Sequence, residues 1–129
     1  MEMINGDGTT HGTYHWQTDG NCGDKPFTHP SVGSEHPDPS FSDGFHEYAV
    51  EFGSDSITFA IDGSPFQTLQ ANETESDGGT KGMAAELFDV PYYIILNTAI
   101  GGPWPGPVDD TTTFPQYHKI DYVRVAQPA

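Results

Sequence analysis

Basic residues are scarce in this sequence. Lys25, Lys81, Lys119 and Arg124 are its only cations besides histidine, against 19 aspartates and glutamates, for a formal net charge of -15. Such a field repels nucleic acid and anionic membranes, so neither is expected as a partner. The plain reading of the charge is a solubilising surface. Cysteine is nearly absent too. Cys22 is the only one, so no internal disulfide can form, and a lone thiol beside Gly23 in a turn-rich stretch is weak material for a nucleophile. No apolar run approaches the ~20 residues of a membrane-spanning helix. Internal repeats and convincing long helical periodicity are also missing. The length of 129 residues predicts a single domain that buries about two-thirds of its unfolded surface.

What is present is strand signal. "FHEYAVEF" (Phe45–Phe52) alternates, and "SITFAI" (Ser56–Ile61) puts Ile57, Phe59 and Ile61 on one face. Asp62-Gly63 is a hairpin turn, and "SPFQTL" is the return strand, with Pro65 favouring a sheet edge. "PYYIILNTA" (Pro91–Ala99) is nearly all apolar, as in a strand buried on both faces, with Tyr92 and Tyr93 as core aromatics. "HKIDYVRVAQ" (His118–Gln127) alternates again. At the start, "MEMIN" reads as a strand, "NGDGTT" as a turn, and "HGTYHW" as a second strand. Between these lie irregular stretches: Thr18–Ser42, rich in proline and glycine, polar Asn72–Gly82, and Gly101–Thr113. Met83–Phe88 suits one helical turn. Short strands between long loops predict an antiparallel sandwich or jelly roll.

Individual residues carry chemical hints. Trp104 sits among Pro103, Pro105 and Gly106, where no packing periodicity demands an indole. Sugar rings stack their C–H faces on aromatic rings, and a proline-stiffened loop holds such a platform at low entropic cost. Trp16 faces away from its neighbour His15 and suits the core. Asn97 interrupts an apolar strand, either to bind substrate hydroxyls or to pin the following loop. Six histidines invite a zinc hypothesis, but only His11 and His15 are close, and their spacing on a strand is not that of a helical ligand pair. Asn72-Glu73-Thr74 fits an N-glycosylation acceptor.

The last forty or so residues are the most specific. "PYYIILNTAIGGPWPG" followed by "TTTFPQYHKIDYVRVAQ" resembles the C-terminal strands of glycoside hydrolase family 16, in particular its laminarinase-like endo-β-glucanases. "FHEYAVEF" and "SITFAIDG" resemble the central hairpin of that family. The resemblance implies an all-β, concanavalin-like antiparallel jelly-roll sandwich, with residues 1–129 forming its C-terminal half. It implies hydrolysis of β-1,3- or mixed-linkage β-glucan with retention at the anomeric carbon. The alternative is a non-catalytic carbohydrate-binding β-sandwich.

Laminarinase-like members carry the pattern Glu-x-Asp-x-x-Glu: nucleophile, assisting Asp, acid/base. The "ME" of "MEMIN" matches its last two positions, so the resemblance makes Glu2 the acid/base. The nucleophile would then precede residue 1, with activity impaired. Retaining chemistry needs two carboxyl groups ~5–5.5 Å apart, and a β-bulge brings positions five apart to one strand face. By the same resemblance His15 lies in the cleft with Asn97 and Trp104. No cofactor is required, and Asp121 matches a ligand of a structural calcium ion whose other ligands lie in the N-terminal half. A β-glucan polysaccharide or oligosaccharide is the expected partner. Secretion is expected although the chain opens without a leader segment, and "PYYIILNTA" is expected to stand uncovered.

Overall fold

The structure, a computed structural model, describes residues 1–16, 31–71 and 90–127. Cys22, the acceptor Asn72 and the Met83–Phe88 stretch lie outside the described residues. Two compact units are distinguished, Met1–Tyr92 and Tyr93–Ala129.

Among its described residues the first unit holds two three-stranded antiparallel sheets. Sheet 1 is β1 (Glu2–Met3), β2 (Thr9–His15) and β3 (Ser31–Pro37), in that order. The β1–β2 connection turns at Asn5-Gly6, both at positive φ (54° and 62°). Asp7 N–H donates to the Ile4 carbonyl at 3.1 Å across it. Positive φ at both central residues makes a turn of the primed type, and Asp7 and Gly8 lie between it and β2. β3 corrects the sequence reading, which placed Thr18–Ser42 outside regular structure. All seven residues of β3 pair with β2, from Thr9↔Pro37 to His15↔Ser31. Pairing with a neighbour overrides weak intrinsic preference, and Pro37 falls at the strand end, where proline is tolerated. A 3-10 turn, Pro39–Ser42, follows. The Asp38 carboxylate caps it, accepting from Ser40 N–H at 2.9 Å.

Sheet 2 is β4 (Tyr48–Phe52), β5 (Ser56–Ile61) and β6 (Ser64–Gln70), in that order. β5 forms over the expected residues, and Asp62-Gly63 makes the expected turn, with φ of 50° and 76°. β4 begins at Tyr48 rather than at Phe45. The residues before it bond elsewhere: Glu47 N–H donates to Asp62 Oδ1 at 2.9 Å, and the His46 ring bonds to Asp62 and Ser40. β6 is an edge strand, as Pro65 requires, and the register shifts between Phe59 and Ala60, where Pro65 stands opposite. An imide nitrogen has no proton for the ladder, and the bulge absorbs that loss.

The sheets pack face to face. Ile57, Phe59 and Ile61 alternate inward and are buried, Ile57 completely (0% exposed). Ile57 and Phe59 meet Leu69 and Trp16, which is 4% exposed as its core assignment requires. His36 of β3 stacks on Phe66 of β6 at 5.0 Å, and Ser34 N–H donates to Gln67 Oε1 at 3.1 Å. A Cβ on Gly12 would lie 2.9 Å from Phe66 ring carbons and 3.0 Å from Phe59. β2 therefore carries glycine where the opposite sheet approaches most closely. The all-β antiparallel class is that of the jelly-roll sandwich expected from the sequence.

The second unit contains no strand among its described residues. Neither Pro91–Ala99 nor His118–Gln127 forms the strand that its apolar pattern suggested. A ladder needs a neighbour, and no partner strand meets either segment among the described residues. Their apolar side chains are accordingly exposed: Tyr93 by 82% and Val125 by 78%, with Ile94, Ile95, Leu96 and Tyr122 also outward. Tyr93 is thus no core aromatic. Local bonds order this unit instead. Thr98 Oγ1 and His118 Nδ1 lie 2.9 Å apart, and Thr111 donates to the Asp109 carboxylate from both N–H and Oγ1. No helix among the described residues is long and apolar enough to cross a membrane.

Two outcomes are expected. Ile57→Ala should cost about 2–5 kcal/mol, as a buried aliphatic truncation does, and Gly12→Val about 1–3 kcal/mol through overpacking; both are read from urea midpoints. The exposed run from Tyr93 to Leu96 should drive concentration-dependent association, seen as a rising sedimentation coefficient together with binding of an apolar-surface dye.

Candidate active site

Strand alternation assigns the faces of sheet 1. Met1 packs against the core cluster, so Glu2, between Met1 and Met3, turns to the outer face, where it is exposed. On β2, Thr10 and Gly12 are buried toward the opposite sheet, and Trp16 beyond the strand joins the core. His11, Thr13 and His15 share the outer face with Glu2. The register sets Glu2 opposite His11, and His11 opposite Glu35 of β3. A row Glu2–His11–Glu35 thus crosses three strands on the outer side.

Within that row, His11 Nδ1 lies 3.7 Å from Glu35 Oε1. That is too long for a hydrogen bond and within ion-pair reach when the imidazole is protonated. The His11 side chain is mostly covered, whereas Glu35 stands in solvent. His15 lies four residues farther along β2, about 13 Å at the usual strand rise. Glu2 and His15, singled out separately from the sequence, therefore come to one face. His11 and Glu35 were missed. Alternation with His15 could have placed His11 on that face; it was weighed only as a metal ligand. Glu35 sat in a stretch with no strand assignment and so had no face.

The residue before His15 plays another part. Tyr14 turns inward, and its hydroxyl lies 2.9 Å from that of Tyr92. Burial first, then that hydrogen bond, holds the Tyr14 phenol well above its ordinary pKa, so it keeps its proton. Tyr92, expected in the core, is half-exposed and stacks on Phe52 at 5.0 Å.

The second unit carries the other residues singled out. Trp104 is 57% exposed at the tip of a loop closed by two reciprocal backbone bonds, Gly102 N–H to Gly106 O and Gly106 N–H to Gly102 O, each 3.0 Å. Gly102 and Gly106 both sit at positive φ, and Pro103 and Pro105 flank the indole. The loop is closed and pre-shaped. Asn97 is exposed and outside any strand, so the apolar strand it was thought to interrupt is not there to bury it. Asp121 is exposed, and no three His, Cys, Asp or Glu side chains converge among the described residues. Calcium takes six to eight oxygens, and Asp121 offers one carboxylate. The described residues do not make that site.

An antiparallel β-sandwich bearing an acid–imidazole row on one sheet face is the class these features define. Residues 1–124 match the glycosyl hydrolases family 16, and the chain belongs to that family. It is 36% identical over 121 residues to the clotting factor G alpha subunit of Tachypleus tridentatus, covering 92% of this chain and 15% of that protein. It is 31% identical over 121 residues to glucan endo-1,3-beta-glucosidase A1 of Niallia circulans, covering 92% of this chain and 17% of that one. A beta-glucanase of Rhodothermus marinus is 33% identical over 91 residues, 67% of this chain and 30% of its own. The chain thus spans less than a third of each of these relatives.

The two tryptophans should differ in solution. With Trp16→Phe, acrylamide should quench the remaining Trp104 emission strongly; with Trp104→Phe, the remaining Trp16 should be shielded and blue-shifted. Equal quenching of the two variants would contradict this assignment.

Proposed function

We propose that the chain contributes the acid/base half of a retaining endo-β-glucanase acting on β-1,3- or mixed-linkage β-glucans. What supports this reading is Glu2: the family resemblance assigns it the acid/base position, and it lies on the outer face of β1, across from His11. In this role the Glu2 carboxyl protonates the departing glycosidic oxygen, and its carboxylate later takes a proton from the water that releases the sugar. His15, on the same face, contacts sugar hydroxyls. Trp104 supplies a stacking surface for a pyranose ring, and Asn97 bonds hydroxyls or steadies its loop. The glucanase names of two relatives support the substrate class. A role on extracellular polysaccharide fits secretion.

Retention requires a nucleophile, and these residues present only the last position of the Glu-x-Asp-x-x-Glu pattern. Glu2 therefore has no assigned nucleophile among these 129 residues. That gives weight to a second reading, a carbohydrate-binding sandwich, favoured by the exposed, pre-closed Trp104 loop.

Reducing-sugar assays on laminarin and lichenan should show no turnover by this polypeptide above its Glu2→Gln variant. Activity that disappears in Glu2→Gln would show that another carboxylate supplies the nucleophile. In calorimetry with laminari-oligosaccharides, Trp104→Ala should weaken binding by about 1–3 kcal/mol, by analogy with bases stacked on aromatic side chains. Unchanged affinity would remove Trp104 from the site.

A further inference from the structure

His46 lies between two acceptors. Its Nδ1 is 2.7 Å from Asp62 Oδ2, and its Nε2 is 3.0 Å from the backbone carbonyl of Ser40. A carbonyl oxygen has no proton to give. Asp62 is a carboxylate: it is half-exposed, and its other oxygen accepts the Glu47 N–H at 2.9 Å. A neutral imidazole has one donor and one acceptor nitrogen, so it can satisfy only one of these partners; an imidazolium satisfies both. We infer that His46 is a proton-operated latch, which as an imidazolium ties the Pro39–Ser42 turn to the β5–β6 hairpin and on deprotonation must release one of them.

The latch joins the two sheets at one end of the sandwich. On one side, the 3-10 turn is fixed to sheet 1 by Asp38 N–H donating to the Gly8 carbonyl at 2.8 Å. That turn also carries buried Phe41, which packs against His36 of β3 at 5.6 Å. On the other side, Asp62 belongs to the tip of sheet 2. The groups around the ring favour its charged form. Asp62 faces it from the hairpin, and Asp38 contributes a second negative charge from the turn's cap. Phe41 meets the ring edge-on at 5.5 Å, and Tyr48, on its own chain segment, at 6.5 Å.

The pH window follows from the two partners. The bond to Asp62 raises the His46 pKa above the ordinary imidazole value, so its contribution is complete below about 6.5 and is lost as pH rises through the higher folded value. The bond from His46, with that from Glu47 N–H, lowers the Asp62 pKa, so its contribution is complete above about 3.9 and is lost as pH falls through the depressed folded value. The latch is closed between these limits.

Nitrogen-15 imidazole spectra of the unmodified chain decide the matter. Below about 6.5, the ordinary imidazole value, both His46 ring nitrogens should carry protons, and the loss of one should come only above that value. A ring that loses that proton at or below about 6.5 would overturn the inference. Melting temperatures of wild type and Asp62→Asn provide a second readout, and one that needs no His46 variant. The difference between them should be largest near pH 5–6 and should shrink as pH rises through the folded value. A difference constant over that range would mark Asp62 as a merely structural contact and overturn the latch.

Discussion

Each strand of the sandwich has two faces, and the register of its pairing decides which residues occupy each. A slip of one residue would turn Ile57 and Phe59 out to water and bring His11 and Glu2 into the apolar layer. Two short turns reverse the chain between paired strands, and the β5–β6 register shifts once, between Phe59 and Ala60. Asn5-Gly6 and Asp62-Gly63 adopt positive φ at both residues, a geometry that asparagine or aspartate followed by glycine tolerates well. The core reinforces the register, because the inward set of β5 is fully apolar and that of β2 ends in Trp16. Face assignment, apolar burial and the outward acid–imidazole row are consequences of one constraint.

Much of the first unit was legible in the sequence because its signals are local. β5 alternates strictly, Asp62-Gly63 punctuates it, and Pro65 announces an edge. β3 was not legible: Ser31–Pro37 has little strand preference of its own, and its order comes from β2 alongside. The start of β4 was misplaced for a related reason. Glu47 N–H goes to the Asp62 carboxylate rather than to a ladder carbonyl, although the Glu47 carbonyl still accepts the Asp62 N–H, and side-chain competition of that kind leaves no trace in an alternation pattern. In the second unit the pattern was clear and the strands were not formed. Apolar content can mark a segment for burial, but only a neighbour can supply its pairing.

The candidate site shows the same division. Glu2 and His15 became candidates through a family pattern, and Trp104 through a loop with no packing need for an indole. His11 and Glu35 became visible only once register was known, since nothing in the sequence says which β3 residue lies opposite His11. The heavy negative charge also fits the proposed partner: a neutral polysaccharide is not repelled by the field that would turn away nucleic acid. On that proposal, recognition would fall to hydroxyl-directed polar groups and a stacking ring.

The central claim is that the outer face of sheet 1 is the glucan-facing surface and the inner face only packing. Amide and side-chain resonances followed during titration with a laminari-oligosaccharide test it directly. Glu2, His11, His15 and Glu35 should shift along one saturating curve, while Thr10, Gly12 and His36 on the inner face stay still. Saturable shifts confined to other surfaces, with that row unmoved, would contradict the account.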